Sequence, residues 1–210
     1  HRFSEYKYQI NESLNGTQHF TGWNKDIIEP LLQHYGIKTH WIDIVDNIWV
    51  ALWFALHKTS STIADGREYI HMFENDDDEY GYVLLIGCDA QDNNPYQAGV
   101  YKSTSTIMVD LRKAVPSFFL RPHAQHALML RKRSSKYEDF MDYTDRIIGI
   151  AKIRVKDGLK WIGQTGLLSV QSLFPPPYYD TGYANLLNEY KKPSNNQINT
   201  VDYIKLFGSI

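Results

Sequence analysis

Gln33-His34-Tyr35-Gly36 opens the stretch of sequence that decides the fold, and Thr39, Asp43 and the apolar run Val50-Ala51-Leu52-Trp53-Phe54-Ala55 complete it. In this order the residues predict a helix that stops at a glycine, a short turn, a strand and a buried helix. The predicted elements span residues 23–35, 38–45 and 47–58.

Two polar details of these elements carry further predictions. Asp46 directly precedes the second helix and is its expected N-terminal cap. That helix is apolar nearly all round, so we expect it in the core. Pro30 fits the first helix only if it lies in the first turn, where no backbone donor is needed.

Polar side chains interrupt the apolar pattern at the turn and the strand. Gln33, His34, Thr39 and Asp43 cluster there, and a polar group inside an apolar element must be paired or functional. The residues alone leave two interpretations open. Either these side chains brace the turn and the helix end, or they line a binding or catalytic site.

A second polar cluster, Arg121-Pro122-His123-Ala124-Gln125-His126, precedes the apolar residues 127–130. We interpret it as the start of a strand, in which Gln125 and Ala127 share one face and His126 points to the other. An exposed polar strand end and a functional site are equally compatible with this pattern. We expect this cluster and the strand that carries Asp43 to be neighbours in space.

The remaining pattern indicates strands with few helices between them and no regular alternation of strand and helix. The expected class is therefore α+β, with a mostly antiparallel or split mixed sheet and a few packed helices. Further strands are predicted at 68–73, 80–88, 104–111, 127–130 and 147–155, further helices at 159–168 and 182–191, and loops at 60–66 and 74–79. The expected organisation is an irregular segment 1–22, one domain 23–191 and a loose tail 192–210.

Composition excludes several classes of protein. The formal net charge of −2 argues against a general DNA-binding or membrane-surface protein, although nucleic-acid binding stays open. The single Cys88 rules out a disulfide framework and suits a reducing cytoplasm, and we expect it to be buried and inert. No histidine or carboxylate spacing indicates a metal site. No apolar run is long enough to span a membrane.

The quoted stretch resembles the signature of the FRG domain family. Three later segments resemble further motifs of that family: Arg121–Gln125, Lys152-Ile153-Arg154-Val155 and Ser172-Leu173-Phe174-Pro175. The resemblance covers roughly residues 20–190. The chain departs from the family in lacking a Phe/Tyr-Arg-Gly tripeptide, which we expect upstream of His1, and in carrying His40, Ile44 and Val45 where the family has Arg, Trp and Thr.

The resemblance implies a bacterial or phage protein with a role as a toxin or in phage defence. The order of the motifs is also similar to that of arginine-class ADP-ribosyltransferases, which implies such a fold and NAD as a substrate that is not covalently bound. On this similarity Asp43 and Gln125 are catalytic, and Gln33, His34, Tyr35, Thr39 and Arg121 bind the substrate. Gln125 can donate to a ribose hydroxyl but cannot carry a negative charge. The implied partners are a macromolecular target and an antitoxin protein.

Two other classes of function remain open from the sequence. The same motifs are compatible with a non-catalytic binding or regulatory module. A nuclease that uses His34 and His126 as acid and base is the third hypothesis, although no set of phosphate-binding cations accompanies these histidines. We also expect weak NAD use by the chain from His1 onward, because the arginine of the missing tripeptide would bind the pyrophosphate.

Overall fold

The computed structural model describes residues 25–36, 39–64, 67–75, 79–89, 92–93, 97–133, 141–163, 166–189 and 201–202. The predictions for segment 1–22 and for most of the tail 192–210 lie outside these residues, as does the middle of the acidic stretch 74–79.

Helices and strands alternate irregularly along this part of the chain. The helices are α1 (Lys25–His34), α2 (Ile48–Leu56), α3 (Leu111–Ala114), α4 (Leu120–Ala124), α5 (Val155–Ile162), α6 (Val170–Leu173) and α7 (Thr181–Glu189). The strands are β1 (Ile42–Val45), β2 (His57–Ala64), β3 (Arg67–Glu74), β4 (Tyr80–Ile86), β5 (Asp92–Asn93), β6 (Val100–Lys102), β7 (Thr106–Asp110), β8 (Ala127–Lys132), β9 (Ile147–Arg154) and β10 (Val201–Asp202). Single 3-10 turns form at Thr144–Arg146 and Gly166–Leu168.

The strands form three separate sheets. The largest has the order β1-β8-β7-β6-β5 with antiparallel neighbours throughout. A second sheet joins β2 and β3 as an antiparallel pair with β10 parallel to β3, and a two-stranded ribbon pairs β4 with β9. The predicted α+β class with a split, mostly antiparallel sheet is therefore confirmed.

Two apolar cores lie within this arrangement. The first packs α1, α3, α7 and the segment before α4 against the large sheet, through residues such as Leu31, Met129 and Phe119. The second gathers α2, α5 and α6 around Trp53 and Leu56. Because β1 contributes to the large sheet and leads directly into α2, the residues between the two elements lie where the two cores adjoin.

Helix α1 confirms the first predicted element but not the placement of its proline. Pro30 lies in the middle of α1, where its ring cannot donate the usual backbone hydrogen bond. Ile27, Ile28 and Leu31 are all almost fully buried, so packing against the sheet outweighs the local cost of the proline. Gly36, with φ 104°, ends the helix as predicted.

Helix α2 forms where expected, but its cap and its burial differ from the prediction. The capping side chain is Asn47, whose oxygen accepts from the backbone N–H groups of Trp49 and Val50. Asp46 instead pairs with Arg112 of α3 at 2.7 Å. Trp53 is in the core, whereas Ile48 and Trp49 in the first turn are about half exposed.

Three predicted elements are wrong in type or extent. The predicted loop 60–66 belongs largely to strand β2, which pairs with β3 over its whole length. The predicted helix 159–168 starts earlier, as α5, and stops at Gly163, whose φ of 63° ends it. The predicted strand start at Arg121 is helix α4, in which Pro122 is tolerated because it lies in the first turn.

Two further observations bear on the expected environment of the protein. Cys88 is exposed, so the prediction of a buried cysteine is wrong. Its pKa is raised, chiefly because neighbouring groups partly shield the thiol from water. Among the residues that the structure describes, no helix has the length and apolar character needed to cross a membrane.

Candidate functional site

Asp43 is the exposed centre of the first polar cluster. It lies on β1, opposite Met129 of β8, and its side chain is 53% exposed. Two side chains from the end of α1 hold the carboxylate: Gln33 donates from Nε2 to Oδ2 at 3.0 Å, and His34 contacts Oδ1 through Nδ1 at 3.3 Å. The carboxylate is therefore fixed in orientation while part of it faces solvent.

Gln33 and Thr39 tie the turn together beneath Asp43. Thr39 donates its hydroxyl hydrogen to the side-chain oxygen of Gln33 and accepts from the backbone N–H of Trp41 at 3.2 Å. Gln33 also donates to the carbonyl of Trp41 at 2.7 Å. These bonds engage both the oxygen and the nitrogen of the Gln33 amide. Gln33 and Thr39 therefore stabilise the turn, and Gln33 also orients Asp43.

His34 links the exposed carboxylate to the protein interior. Its side chain is only 4% exposed, and its Nδ1 donates to Asp43 because the carboxylate can only accept. Its Nε2 is buried and has no hydrogen-bond partner within the described residues. Burial raises the pKa of Asp43, but the hydrogen bond and electrostatic attraction of His34 and the hydrogen bond from Gln33 outweigh it, so the pKa is lowered and the carboxyl is ionised at neutral pH.

Tyr35 faces away from Asp43 into the first core. Its hydroxyl donates to Oδ2 of the buried Asp180 at 2.5 Å. Burial, followed by the charge of Asp180, raises the pKa of Tyr35 above its usual value. The predicted substrate-binding side chain therefore lies in the core, hydrogen-bonded to a second buried group.

Arg121 lies beside Tyr35 and is 2% exposed. Its guanidinium carbon is 4.5 Å from the ring centres of both Tyr35 and Tyr183 and 5.7 Å from that of Phe174. One guanidinium nitrogen donates to the carbonyl of His34 at 3.3 Å, so Arg121 contacts the end of α1 that also holds Asp43. The rings of Tyr35, Tyr183 and Phe174 therefore surround the charge.

Gln125 ends helix α4 and is buried. Its Nε2 donates to the carbonyl of Leu173 at 2.8 Å, which connects α4 to the end of α6. The structure thus separates the two predicted catalytic residues by environment. Asp43 is held by α1 at the surface, and Gln125 is held by Leu173 in the interior.

The structure forms a third polar cluster at the end of β1, around Arg112, which the sequence analysis did not single out. Arg112 donates from Nε and Nη2 to the two oxygens of Asp110 at 2.8 and 2.9 Å, and from Nη1 and Nη2 to the two oxygens of Asp46 at 2.9 and 2.7 Å. Asp110 is buried and also caps α3. The only sequence signal was Asp46, a charged residue between a strand and an apolar helix, and it was interpreted as a cap.

His126 completes this third polar cluster. Its Nδ1 lies 3.3 Å from Asp46, its Nε2 lies 3.3 Å from the side-chain nitrogen of Asn47, and its ring is 40% exposed. Its backbone φ is 51°, in the left-handed region that residues with a side chain rarely adopt. Partial burial raises the pKa of Asp46, but Arg112 and then His126 lower it more, so this carboxyl is also ionised at neutral pH.

Comparison with known proteins supports the resemblance for the first part of the chain. The family model described as FRG domain matches residues 1–63. This range includes Gln33, His34, Tyr35, Thr39 and Asp43, and it ends before Arg121. No curated protein and no solved structure matches the chain.

Proposed function

We propose that this chain, whose residues 1–63 match the FRG domain, is an effector that transfers ADP-ribose from NAD, with Asp43 as the carboxylate beside the reacting sugar. The observation that carries the proposal is the state of Asp43, which is half exposed, oriented by Gln33 and His34, and ionised. A fixed negative charge stabilises the positive charge that develops on a sugar ring as its glycosidic bond breaks.

This assignment gives Asp43 the role that Gln125 cannot fill. The amide of Gln125 is buried and bonded to Leu173, and an amide carries no charge. Arg121 then acts as a support that holds the carbonyl of His34 in place. Because neither Gln33 nor Thr39 supplies a cation for the pyrophosphate, we expect a KM for NAD near the upper end of the usual range of about 1 μM to 1 mM.

The proposed biological setting is that of a bacterial or phage toxin or defence effector in the cytoplasm. An enzyme that consumes NAD or modifies a macromolecule harms the cell that makes it, so an antitoxin protein would be its expected partner. The exposed Cys88 fits a reducing compartment.

A non-catalytic binding module is the second candidate, and one observation favours it. Gln33, Thr39 and Trp41 bond to one another, while Arg121 and Gln125 are buried and bonded within the protein. Motif residues that are bonded to one another in this way stabilise the fold whether or not a substrate binds. In that case Asp43 would be an anchor for a ligand rather than a catalytic group.

The experiment that separates the candidates compares the wild type with Asp43→Asn. Asparagine keeps the shape and an oxygen for Gln33 to contact, but removes the charge. Asp157→Asn is the matched control, since Asp157 is a partly exposed aspartate that pairs only with Arg154 among the contacts described for it. We expect release of nicotinamide from NAD by the wild type and the control, and a loss of about 10²-fold or more in Asp43→Asn.

A cellular measurement accompanies this assay. Expression of the wild type is expected to arrest growth, and Asp43→Asn is expected to relieve the arrest at equal protein level. Equal NAD turnover by the wild type and Asp43→Asn would show that Asp43 is not the catalytic carboxylate. If no variant turns over NAD and all variants melt at the temperature of the wild type, the binding module would be the better supported candidate.

A further inference from the structure

We propose that one face of the ribbon formed by β4 and β9 is a dimerisation surface, on which a second copy of this chain docks through the same face. Among the described residues, these two strands pair only with each other. The inference is independent of the proposed function, because neither strand carries a residue of the candidate site.

The pairing register divides the side chains of the ribbon between two faces. Val83 and Ile153 belong to the inner face and pack against the second core. Because side chains alternate along a strand, the residues one position away belong to the opposite, outer face. The large apolar members of this outer face are Tyr82 and Leu84 on β4 and Ile148 and Ile150 on β9.

This outer face is apolar and open to solvent. The exposed fraction is 72% for Ile148, 62% for Ile150, 55% for Tyr82 and 48% for Leu84. Leu84 pairs directly with Ile150, and the other two side chains flank this pair on the same strands, so the four form one continuous patch. A patch of about a few hundred Å² of contiguous apolar surface marks an interaction site on a soluble protein.

Exposed charges of opposite sign lie at the two ends of β9. Lys152 and Arg154 are at its C-terminal end, where Nζ of Lys152 lies 3.7 Å from the ring centre of Tyr80. Asp142 and Asp145 precede its N-terminal end, and both are exposed. The two ends of one strand are therefore complementary in charge, which favours a partner that presents the same strand in the opposite direction.

A second copy meets this requirement when a two-fold axis lies in the interface, perpendicular to β9 and level with Gly149. The axis stacks β9 of one protomer on β9 of its partner in the opposite direction, so Ile148 of each copy lies over Ile150 of the other. The end that carries Lys152 then faces the end that carries Asp145. Such an interface uses the same patch on both subunits, as two-fold symmetry requires, with the sheets about 10 Å apart.

Contacts within the chain leave the acidic end available for this pairing. Asp145 contacts Lys132 and Arg146 of its own chain, yet its side chain remains 59% exposed. Each copy carries a formal net charge of only −2, so repulsion between two copies at long range is small. The dimer interface, with its polar rim, is on the order of 1,000 Å² in total, near the lower limit for a specific interface. We therefore expect a weak dimer, with a Kd on the order of 10 μM.

The test is sedimentation velocity of the full chain at protein concentrations from about 1 μM to about 200 μM, which bracket the expected Kd. Ile148→Glu places a charge at the centre of the patch. Leu167→Glu is the matched control, since Leu167 is 84% exposed and lies on a 3-10 turn outside the ribbon. We expect the wild type and the control to pass from monomer to dimer, and Ile148→Glu to raise the Kd by about 10²-fold, because its two glutamates face each other.

Two further variants separate the face from its orientation. Ile148→Ser removes the apolar side chain without adding a charge, and decides the question if Ile148→Glu fails to fold. Lys152→Glu reverses the charge that faces Asp145 of the second copy. We expect each to raise the Kd by about 10-fold, with the melting temperature of the monomer unchanged. An unchanged Kd in Lys152→Glu would overturn the antiparallel arrangement.

Two results would overturn the inference as a whole. A wild type that stays monomeric at every concentration would show that a second copy is not the occupant of this face, whatever else binds there. A dimer that forms equally well in the wild type, Ile148→Glu and Ile148→Ser would show that the copies associate through another surface. Neither result bears on the role of Asp43, because the dimer is measured without NAD.

Discussion

Arg121 and Arg112 occupy opposite environments, although Arg121 contacts the helix that leads to β1 and Arg112 contacts the residue that follows β1. Arg121 is buried among aromatic rings near Asp180, whereas Arg112 lies between two carboxylates at the edge of the sheet, next to a half-exposed histidine. The first arginine belongs to a recognisable motif, and the second belongs to none. A motif residue can therefore contribute chiefly to folding, while a residue outside any motif holds a carboxylate that faces solvent.

The largest expected effect follows from removing the buried charge. Arg121→Ala leaves Asp180 in the core without the neighbouring positive charge and opens a cavity between Tyr35 and Tyr183. We expect a loss of about 3–5 kcal/mol in the free energy of unfolding, measured by urea denaturation. Arg121→Lys is the control, because it keeps the charge and loses the planar stacking. A loss below about 1 kcal/mol for Arg121→Ala would contradict the view that this charge supports the core.

A smaller effect is expected from the partner of Asp180. Tyr35→Phe removes the hydroxyl that donates to Asp180 and leaves the ring in place. Because the buried carboxylate loses a donor, we expect a loss of about 1–3 kcal/mol in the free energy of unfolding. Tyr178→Phe serves as the control at an exposed position and is expected to change nothing measurable. Equal stability of Tyr35→Phe and the wild type would show that water replaces the hydroxyl.

Arg112→Ala is expected to cost less than either change in the buried cluster. Asp46 is half exposed, so solvent compensates for part of the lost ion pair, and Asp110 keeps its bond from the backbone N–H of residue 112. We expect about 1 kcal/mol by the same denaturation measurement. A loss as large as that of Arg121→Ala would remove the contrast between the two arginines.

The smallest effect concerns the pH dependence of stability. The pKa of Asp46 is lowered in the folded protein, while an unfolded aspartate titrates near about 3.9. Its contribution is therefore fully present above about 3.9 and is lost as the pH falls through the lower folded pKa. Because the side chain is half exposed, we expect less than about 1 kcal/mol. Urea denaturation of the wild type and Asp46→Asn from about pH 5 down to about pH 2 should show their difference shrinking.

The elements with the strongest local sequence signals were predicted correctly. The apolar run from Val50 to Ala55 gave α2, Gly36 marked the end of α1, and the β-branched run beginning at Ile147 gave β9. Strand β2 was missed because its four central residues, Thr59 to Thr62, are all serine or threonine. The dipeptide Asp65-Gly66, which is typical of a tight hairpin turn, was the signal that favoured it.

The candidate site was predicted in part, for a physical reason. Gln33, Thr39 and Asp43 interact through a turn of a few residues, so their grouping was visible in the sequence. His126 and Asn47 lie 79 residues apart along the chain, and only the pairing of β1 with β8 brings them together. No local pattern reports such a contact, and Arg112 likewise reaches Asp46 from a distant helix.

The pairing of β1 with β8 also has a consequence for synthesis of the protein. A ribosome that has made β1 and α2 must complete the intervening strands β2 to β7 before Ala127 emerges to pair with Val45. Contacts of such long range form late in folding because a large loop must first close. A nascent or truncated chain that stops before β8 thus contains Asp43 but lacks the strand that pairs with β1. Under the proposed function, a product truncated before β8 would therefore be inactive, because the strand that carries Asp43 would lack this pairing.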